Sequence, residues 1–250
     1  MSGAALLPRF WHRAIRARFR DQAAEIRALI GAIRPGDAAA DVGAHKGAYL
    51  PWLSRAAAPD GLVAAFEPQP DLAAYLERVC RAAGLWNVRV HAVGVSDAAG
   101  TRRLHVPGTR GTSPGASFET AAVADTPVRA IEARVVSLDR HFGDERRRLA
   151  ALKVDVEGHE LAVFRGAERR IERDAPLVVF ESEARHAGED GLARALAFFA
   201  ERGYEGWFVR RRRLLPIADF DPAVHQRRGP GRFWDDHDYC NNFVMRKRRG

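Results

Sequence analysis

The residues best suited to chemistry lie in one short segment, LKVDVEGHE, at positions 152–160. If this segment is a strand, Lys153, Asp155 and Glu157 point to one face, because side chains alternate along a strand. Charged side chains on an apolar strand need partners or a function, since burying an isolated charge is costly. Carboxylates in such a place can act as general bases. An ion pair of Lys153 with Asp155 or with Glu67 is the structural alternative.

A second segment, AAADVGAHKGAYL at 38–50, joins an apolar strand to a helical pattern through Gly43 and Gly47. Glycines at such a turn let the backbone approach a bound nucleotide closely. The spacing is neither G-x-G-x-x-G nor G-x-x-x-x-G-K-[ST], which argues against a dinucleotide site and a P-loop. The segment predicts a nucleotide-binding turn of another kind.

Glu67 follows a further apolar strand, twenty-four residues after Gly43. A carboxylate at this place can accept hydrogen bonds from both hydroxyl groups of a ribose. Because the carboxyl ends of parallel strands form the ligand crevice of such sheets, several acids should converge there. These are Asp41, Glu67, Asp155, Glu157 and Glu181.

The elements that position these residues alternate between apolar runs and helical patterns. The predicted strands are 38–44, 62–68, 88–96, 152–158 and 176–183, with a terminal pair at 204–209 and 242–245. The predicted helices are 49–57, 72–83, 139–150, 160–173 and 190–202. This alternation is typical of an α/β fold with a mostly parallel sheet and helices on both faces.

Two polar segments interrupt the pattern. Residues 97–125, with PGTRGTSPG at their centre, form either a projecting hairpin or a mobile loop over the site. The run Arg210–Arg213 follows a strand pattern and is predicted to form the turn of a hairpin. A clamp for an acidic acceptor is the functional alternative for these arginines.

The N-terminal segment has apolar residues at helical spacings between positions 9 and 33. It predicts an amphipathic helical extension, residues 1–34, before a catalytic domain, residues 35–250. Packing on the domain is favoured over membrane contact, because the arginines surround the helix instead of lying on one face.

Composition limits the class of protein. With 250 residues, 46% of them hydrophobic, the chain is neither disordered nor fibrous. The net charge of +8 permits acidic partners, but only three of the basic residues are lysines, so the excess reflects an Ala- and Arg-rich composition. Cys80 and Cys240 are too few for a disulfide framework or a cysteine metal site. Without a signal peptide or a long apolar run, we expect a cytoplasmic monomer or homodimer.

An ordered set of motifs carries a family resemblance: DVGAHKG, FEP at 66–68, VGVSD at 93–97, SLD at 137–139, KVDVEGHE and VVFES at 178–182. Over about residues 37–210 the sequence resembles the FkbM-type family of class I S-adenosylmethionine-dependent methyltransferases. The resemblance implies a Rossmann-like, seven-stranded, mostly parallel sheet and S-adenosylmethionine as the cofactor.

The resemblance also implies a role for each matching position. Around the methionine moiety it puts Asp41, Gly43 and Gly47, at the ribose Glu67, beside the adenine the segment that contains Val93, Ser96 and Asp97, and near the methyl group Asp155, Glu157 and Gly158. Further cofactor-binding candidates are Ala44, His45 and Pro68. His45 departs from the asparagine that is frequent in this turn of the family.

An alcohol acceptor needs a general base to remove its proton. The candidates are Asp155, Glu157, His159 and Glu181, of which Asp155 and Glu157 are preferred because they lie at a strand end. Glu157, Glu160, Glu181 and His159 could instead hold a divalent metal. We predict no metal, because no second histidine lies at metal-ligand spacing.

The acceptor atom is predicted to be oxygen. Amino-directed enzymes commonly carry an N-P-P-aromatic or D-P-P-aromatic motif where this chain has residues 155–158, and Cys80 lies in a helical pattern unsuited to a nucleophile. The resemblance implies a small-molecule or glycan hydroxyl of a sugar or secondary metabolite, with nucleic acid not favoured. An RNA-directed methyltransferase and a non-catalytic nucleotide-binding module are the alternatives.

Overall fold

The structure, a computed structural model, describes residues 3–123, 127–187 and 189–227, together with Gly229, Gly231, Phe233, Asp236 and residues 238–248. The strands in this part of the chain are β1 (Ala38–Val42), β2 (Leu62–Phe66), β3 (Val88–His91), β4 (Gly94–Val95), β5 (Gly100–Pro107), β6 (Val128–Val136), β7 (Leu149–Val154), β8 (Leu177–Glu181), β9 (Tyr204–Arg210), β10 (Arg213–Pro216) and β11 (Asn242–Lys247).

The α-helices of the described residues follow the chain between these strands. They are α1 (Leu7–Arg16), α2 (Ala23–Ala32), α3 (Leu50–Ala57), α4 (Pro70–Ala82), α5 (Leu138–Phe142), α6 (Glu160–Arg165), α7 (Glu168–Asp174), α8 (Ala184–Ala187), α9 (Glu189–Glu201) and α10 (Pro222–His225). A π-helical turn, Ala17–Asp21, separates α1 from α2.

The main sheet has the strand order β10-β9-β11-β8-β7-β1-β2-β3. Strands β8, β7, β1, β2 and β3 are parallel, and β11 pairs antiparallel with both β8 and β9. From β1 the chain proceeds first to β2 and β3 on one side and later to β7 and β8 on the other. The reversal of strand order between β1 and β7 creates a crevice at their carboxyl ends, where doubly wound sheets bind ligands.

Helices cover both faces of this sheet, as predicted. One face packs against α5, α6, α7 and α9 through a cluster that includes Phe164, Phe180 and Phe199. The other face packs against α2, α3 and α4 through Ile26, Leu53 and Leu76. The central strand β1 is buried along its whole length, because its alanines fit between the two helical layers. The predicted α/β class is confirmed, but the sheet has eight strands instead of seven.

Several predicted strands are longer than the observed ones. The prediction of 152–158 as one strand was wrong, because β7 ends at Val154 and the chain then turns. Glu157 and Gly158 have φ values of 53° and 99°, which an extended strand does not contain. Likewise, 88–96 divides into β3 in the main sheet and β4 in a smaller one.

Two predicted helices also differ from the structure. The helix at 139–150 ends at Phe142, because Gly143 has a φ of 31° and breaks the helical path. The helix at 160–173 divides into α6 and α7 at Gly166. A Cβ on Gly166 would lie 2.1 Å from the backbone oxygen of Ser96. The two helices therefore meet at a glycine that lies against the backbone just after β4.

The segment 97–125 contains both of the features that its sequence permits. Strand β5 pairs antiparallel with β6, and β4 completes a three-stranded sheet outside the main one. Beyond β5, residues 113–118 return toward the carboxyl ends of the main sheet, and Ser117 pairs with His105. Residues 124 and 125 lie outside the described part. The segment is therefore a hairpin strand followed by a loop beside the site.

The N-terminal helices pack on the domain. Phe10 of α1 and Ile26 and Leu29 of α2 are fully buried, and Ile26 and Leu29 belong to the core of the main sheet. The division between residues 1–34 and 35–250 stays a prediction. The turn predicted at Arg210–Arg213 is confirmed: Arg211 and Arg212 connect β9 to β10 with positive φ values of 48° and 64°.

Candidate functional site

A buried group of charges lies between the ends of β1 and β7. Lys153 Nζ lies 3.1 Å from Asp41 Oδ1 and 3.6 Å from Asp155 Oδ2, and it donates a 2.7 Å hydrogen bond to the Gly43 carbonyl oxygen. Burial acts to lower the pKa of Lys153, but the Asp41 and Asp155 carboxylates outweigh it and raise the pKa. The ammonium therefore stays charged and holds the glycine turn against the end of β7. The predicted Lys153–Asp155 pair is confirmed, with Asp41 as the closer partner.

Glu67 fixes the same turn from the end of β2. Its Oε2 accepts a 2.8 Å hydrogen bond from the His45 backbone N–H, and its Oε1 accepts a 2.9 Å bond from the Gln69 backbone N–H. The side chain is buried, and burial raises its pKa despite these two bonds. Each carboxylate oxygen has two lone pairs, so both oxygens keep capacity to accept further hydrogen bonds.

These groups border a cavity of about 200 Å³ at the carboxyl ends of the strands. The predicted site residues in its wall are Gly43, His45, Glu67, Pro68, Asp155, Glu157 and Glu181. The rest of the wall is mainly apolar and is formed by Leu104, Pro114, Ala116, Phe118 and Val156, together with Gln69. The cavity thus combines a glycine turn, the buried carboxyl group of Glu67 and an apolar surface.

The loop after β5 closes one side of this cavity. The Gln69 amide Nε2 donates to Ser113 O (2.9 Å), and Ser113 N donates to Gln69 Oε1 (3.0 Å). Ser117 Oγ donates a 2.6 Å bond to the Glu157 carbonyl oxygen. These contacts connect the loop to the ends of β2 and β7. Sequence reasoning missed Gln69 and Phe118, because no local spacing indicates which residues of a loop will meet a distant strand.

A larger neighbouring cavity, of about 1450 Å³, shares Pro114, Glu157 and Glu181 with the first. Burial raises the pKa of Glu181 well above its usual range, and Asp155, Glu157 and Glu183 raise it further. Glu181 Oε1 accepts a 2.7 Å bond from Asn241 Nδ2. Burial therefore favours the protonated form of Glu181.

His45 also faces the smaller cavity. Its Nε2 atom is buried and has no hydrogen-bond partner among the described residues, and its backbone φ of 47° is in the left-handed region. Burial lowers the pKa of His45 to about 4, with Lys46 and Lys153 adding to the effect. The ring is therefore neutral near pH 7 and offers an unused polar atom to a ligand.

Other predicted site residues lie away from both cavity walls. Ser96 is buried beneath α6, and Asp97 forms an exposed ion pair of 2.9 Å with Arg102. Val93 packs on the hydrophobic core. Their predicted places beside an adenine stay predictions. Asp41 contacts Lys153 at the end of β1, and Ala44 and Gly47 lie in the glycine turn itself, where Ala44 joins the core.

His159 is engaged at both ring nitrogens. Nδ1 lies 2.6 Å from Glu119 Oε1, and Nε2 lies 2.9 Å from Ser96 Oγ. The side chain is only 2% exposed and lies at the start of α6. This arrangement suits a structural histidine that connects the hairpin region to α6, and it leaves no ring nitrogen for an acceptor.

Glu160, one of the acids considered as metal ligands, is hydrogen-bonded within the protein. Glu160 Oε1 accepts a 2.8 Å bond from the Gly158 N–H, and Oε2 accepts a 3.4 Å bond from Ser182 Oγ. Burial raises the pKa of Glu160 to about 8. Within the described ranges, no group of three or more His, Cys, Asp or Glu side chains has the arrangement of a metal site. The same ranges contain no helix with the length and apolar character needed to cross a membrane.

Comparison with known proteins identifies the family. The family model described as "Methyltransferase FkbM domain" matches residues 41–205, the segment that contains the glycine turn, Glu67 and the β7 acids. The chain belongs to the FkbM methyltransferase family. No curated protein matches the sequence.

Solved structures with low sequence identity share the FkbM chain's fold. An FkbM methyltransferase from Methylobacillus flagellatus KT has a TM-score of 0.52 and 17% identity over 96% of this chain and 59% of that chain. An rRNA methylase from Streptococcus thermophilus has a TM-score of 0.52 and 10% identity, covering 90% of this chain and 95% of that one. SMU.1697c from Streptococcus mutans, in complex with SAH, has a TM-score of 0.52 and 9% identity, covering 91% and 98%.

These likenesses confirm the class I methyltransferase fold. The FkbM chain described here spans 59% of the length of the Methylobacillus flagellatus protein.

His186 and Glu183, which line the larger cavity, were not predicted. They follow β8 in a polar segment with no motif, so only the folded chain brings them to the site.

Proposed function

We propose that this FkbM-family methyltransferase transfers a methyl group from S-adenosylmethionine to a hydroxyl oxygen of a small molecule or glycan. The observation that carries the proposal is the pair of neighbouring cavities that meet at Glu157 and Glu181. One has the features of a nucleoside site, and the other is large enough for an acceptor. When bound, the cofactor supplies a methyl group on a sulfonium, which is already activated for displacement.

The residues of the smaller cavity fit this cofactor. Glu67 would hold the ribose, because a buried carboxylate accepts hydrogen bonds and donates none. The turn at Gly43 and His45 would hold the methionine moiety, for which the unpartnered His45 Nε2 is available. Leu104 and Phe118 offer apolar contact to the base. In this cavity the chain would contribute alignment of the cofactor and exclusion of water.

The larger cavity favours a neutral, hydroxyl-bearing acceptor over RNA. Three glutamates, Glu157, Glu181 and Glu183, line it near the shared wall. Carboxyl groups accept hydrogen bonds from hydroxyls, whereas a phosphate diester has no proton to donate to them. The wall also contains arginines, of which Arg211 pairs with Asp238 at 2.6 Å and Arg185 pairs with Glu183.

Cofactor binding is the first test of this function. Isothermal titration should detect S-adenosylmethionine and S-adenosylhomocysteine binding to the wild type. Gly43→Val and Glu67→Ala should weaken both, while Glu132→Ala, an exposed glutamate of β6, should leave both unchanged. Wild-type affinity in Gly43→Val and Glu67→Ala would show that the cofactor site is elsewhere.

The acceptor is the second test. The wild type should transfer tritium-labelled methyl groups to members of a panel of monosaccharides, glycosides and hydroxylated polyketides, with equimolar S-adenosylhomocysteine released. Total RNA belongs in the same panel. Methylation of RNA alone, weakening steeply with salt, would instead support an RNA-directed enzyme. Binding without turnover on any substrate would support a non-catalytic module.

A further inference from the structure

His186 contacts Glu157 at the border between the two cavities. Its Nδ1 lies 2.7 Å from Glu157 Oε2, and the two side chains are 10% and 17% exposed. Both residues line the larger cavity, and Glu157 also lines the smaller one. An imidazole whose Nδ1 faces a carboxylate is held in the tautomer that leaves Nε2 unprotonated. The contact thus resembles the part of a catalytic dyad that takes up a proton.

The backbone around Glu157 is shaped to make this contact. Glu157 adopts a left-handed φ of 53°, which is unusual for a residue with a Cβ. The next residue, Gly158, has a φ of 99°, and a Cβ on it would lie 2.7 Å from the His186 carbonyl oxygen. Only glycine therefore permits the two segments to approach so closely. The Ser117 hydroxyl fixes the Glu157 carbonyl from the other side.

His159 provides a comparison within the same protein. It too has Nδ1 against a glutamate, Glu119, but its Nε2 contacts Ser96 Oγ and its ring lies in neither cavity wall. For His186, the described residues contain no partner at Nε2. The protein thus has two imidazole–carboxylate pairs, and of the two only the pair at His186 borders the acceptor cavity.

Resting on the proposed function, we propose that His186 is the general base of the methyl transfer and that Glu157 orients it. The acceptor oxygen forms a bond to the methyl carbon while the carbon–sulfur bond breaks. The electron pair of the broken bond stays on sulfur, which gives neutral S-adenosylhomocysteine. The hydroxyl proton passes to His186 Nε2. The imidazolium that results lies against Glu157 and returns the proton to solvent through the larger cavity.

Charged groups from three segments face this pair. Asp155 follows β7, and Glu183 and Arg185 precede His186 after β8, with Arg185 paired to Glu183. Glu181 contributes from the end of β8. Because the Glu181 and Glu183 carboxyls also titrate, a pH profile must be compared between variants instead of read from the wild type alone.

The kinetic test uses His186→Gln and Glu157→Gln with the hydroxyl compound that the wild type methylates fastest. We expect His186→Gln to lower kcat by about 100-fold or more, which is the range for loss of a general base. The low-pH limb of its rate profile should disappear, while S-adenosylhomocysteine affinity stays at the wild-type value. His12→Gln, a surface histidine of α1, is the matched control. A His186→Gln enzyme with the wild-type kcat and pH profile would overturn the proposal.

A second measurement needs no acceptor. Heteronuclear NMR of the imidazole nitrogens in the S-adenosylhomocysteine complex should find His186 with Nδ1 protonated and Nε2 unprotonated. Glu157→Gln should change these signals and leave those of His159 in place. A proton on Nε2 of the neutral ring would refute the dyad. If no hydroxyl compound is methylated, the proposed function fails, and the NMR result still decides whether the dyad has the required tautomer.

Discussion

Replacing Gly43 by alanine should lower the free energy of unfolding by more than the conformational cost of placing a Cβ in a left-handed backbone. The added Cβ would lie 1.9 Å from the Asp155 carbonyl oxygen and 3.0 Å from its carbon, at a position whose φ is +74°. The left-handed backbone costs a residue with a Cβ about 1–2 kcal/mol. Overpacking against rigid backbone adds about 1–3 kcal/mol. We therefore expect Gly43→Ala to lose about 2–5 kcal/mol of unfolding free energy.

Gly36 is the matched control, because its φ is +89° and nothing lies within 4 Å of its added Cβ. Gly36→Ala should therefore lose only the conformational part, about 1–2 kcal/mol. Urea unfolding followed by circular dichroism gives both values, and titration with S-adenosylmethionine should show lost affinity in Gly43→Ala alone. Equal destabilisation of the two variants, with equal cofactor affinity, would refute the close approach of the turn to β7.

Three further predictions concern buried charges. Glu67→Gln places an amide N–H against a backbone N–H and should weaken S-adenosylmethionine binding by about 10- to 100-fold, the value of a charged hydrogen bond. Titration calorimetry measures this affinity, with Glu132→Gln as the control. Lys153→Met leaves Asp41 buried without a cation and should cost about 3–5 kcal/mol in urea unfolding, part of which Asp41→Leu should restore; no recovery would contradict the ion pair. Burial raises the pKa of Glu25 from 4.5 to about 7, so the folded state binds the proton more tightly and the unfolding free energy should fall as pH rises from about 4.5 to above 7, by about 3 kcal/mol. Glu25→Gln should reduce the total fall by this amount, because Glu160 and other buried acids with a raised pKa keep their own contributions; an unchanged fall would show that Glu25 does not contribute.

The parts of the fold that the sequence predicts well are those whose pattern reflects burial. Strands β1, β2 and β8 are short runs of small or branched apolar residues between helical patterns, so burial and pattern agree. The predicted helix at 139–150 fails because helical spacing continues through Gly143, whose backbone leaves the helix. The strand at 152–158 fails because alternation of Val and acidic residues continues past the turn that starts after Val154.

The same distinction applies to the site. Glu67 and Asp155 follow strands directly, so a parallel sheet brings them to one edge whatever the loops do, whereas Glu157 lies in the turn after β7. His186 lies in a polar segment after β8, and its contact with Glu157 depends on the left-handed turn at 157–158. Val93, Ser96 and Asp97 share the motif order of the family and lie outside the cavity wall, and their places beside an adenine stay predictions. Contacts that depend on loop paths cannot be found from spacing alone.

The small sheet of β4, β5 and β6 has an evolutionary consequence. Leu104 lies in β5 and Phe118 in the loop between β5 and β6, and both supply apolar wall to the smaller cavity. In the described part of the chain, these three strands form a sheet separate from the main one. Mutations in the hairpin can therefore remodel the ligand environment while the central frame and its glycine turn stay intact. Divergence of specificity among homologues should accumulate in this appendage, and grafting it between relatives offers a route to exchanging their preferences.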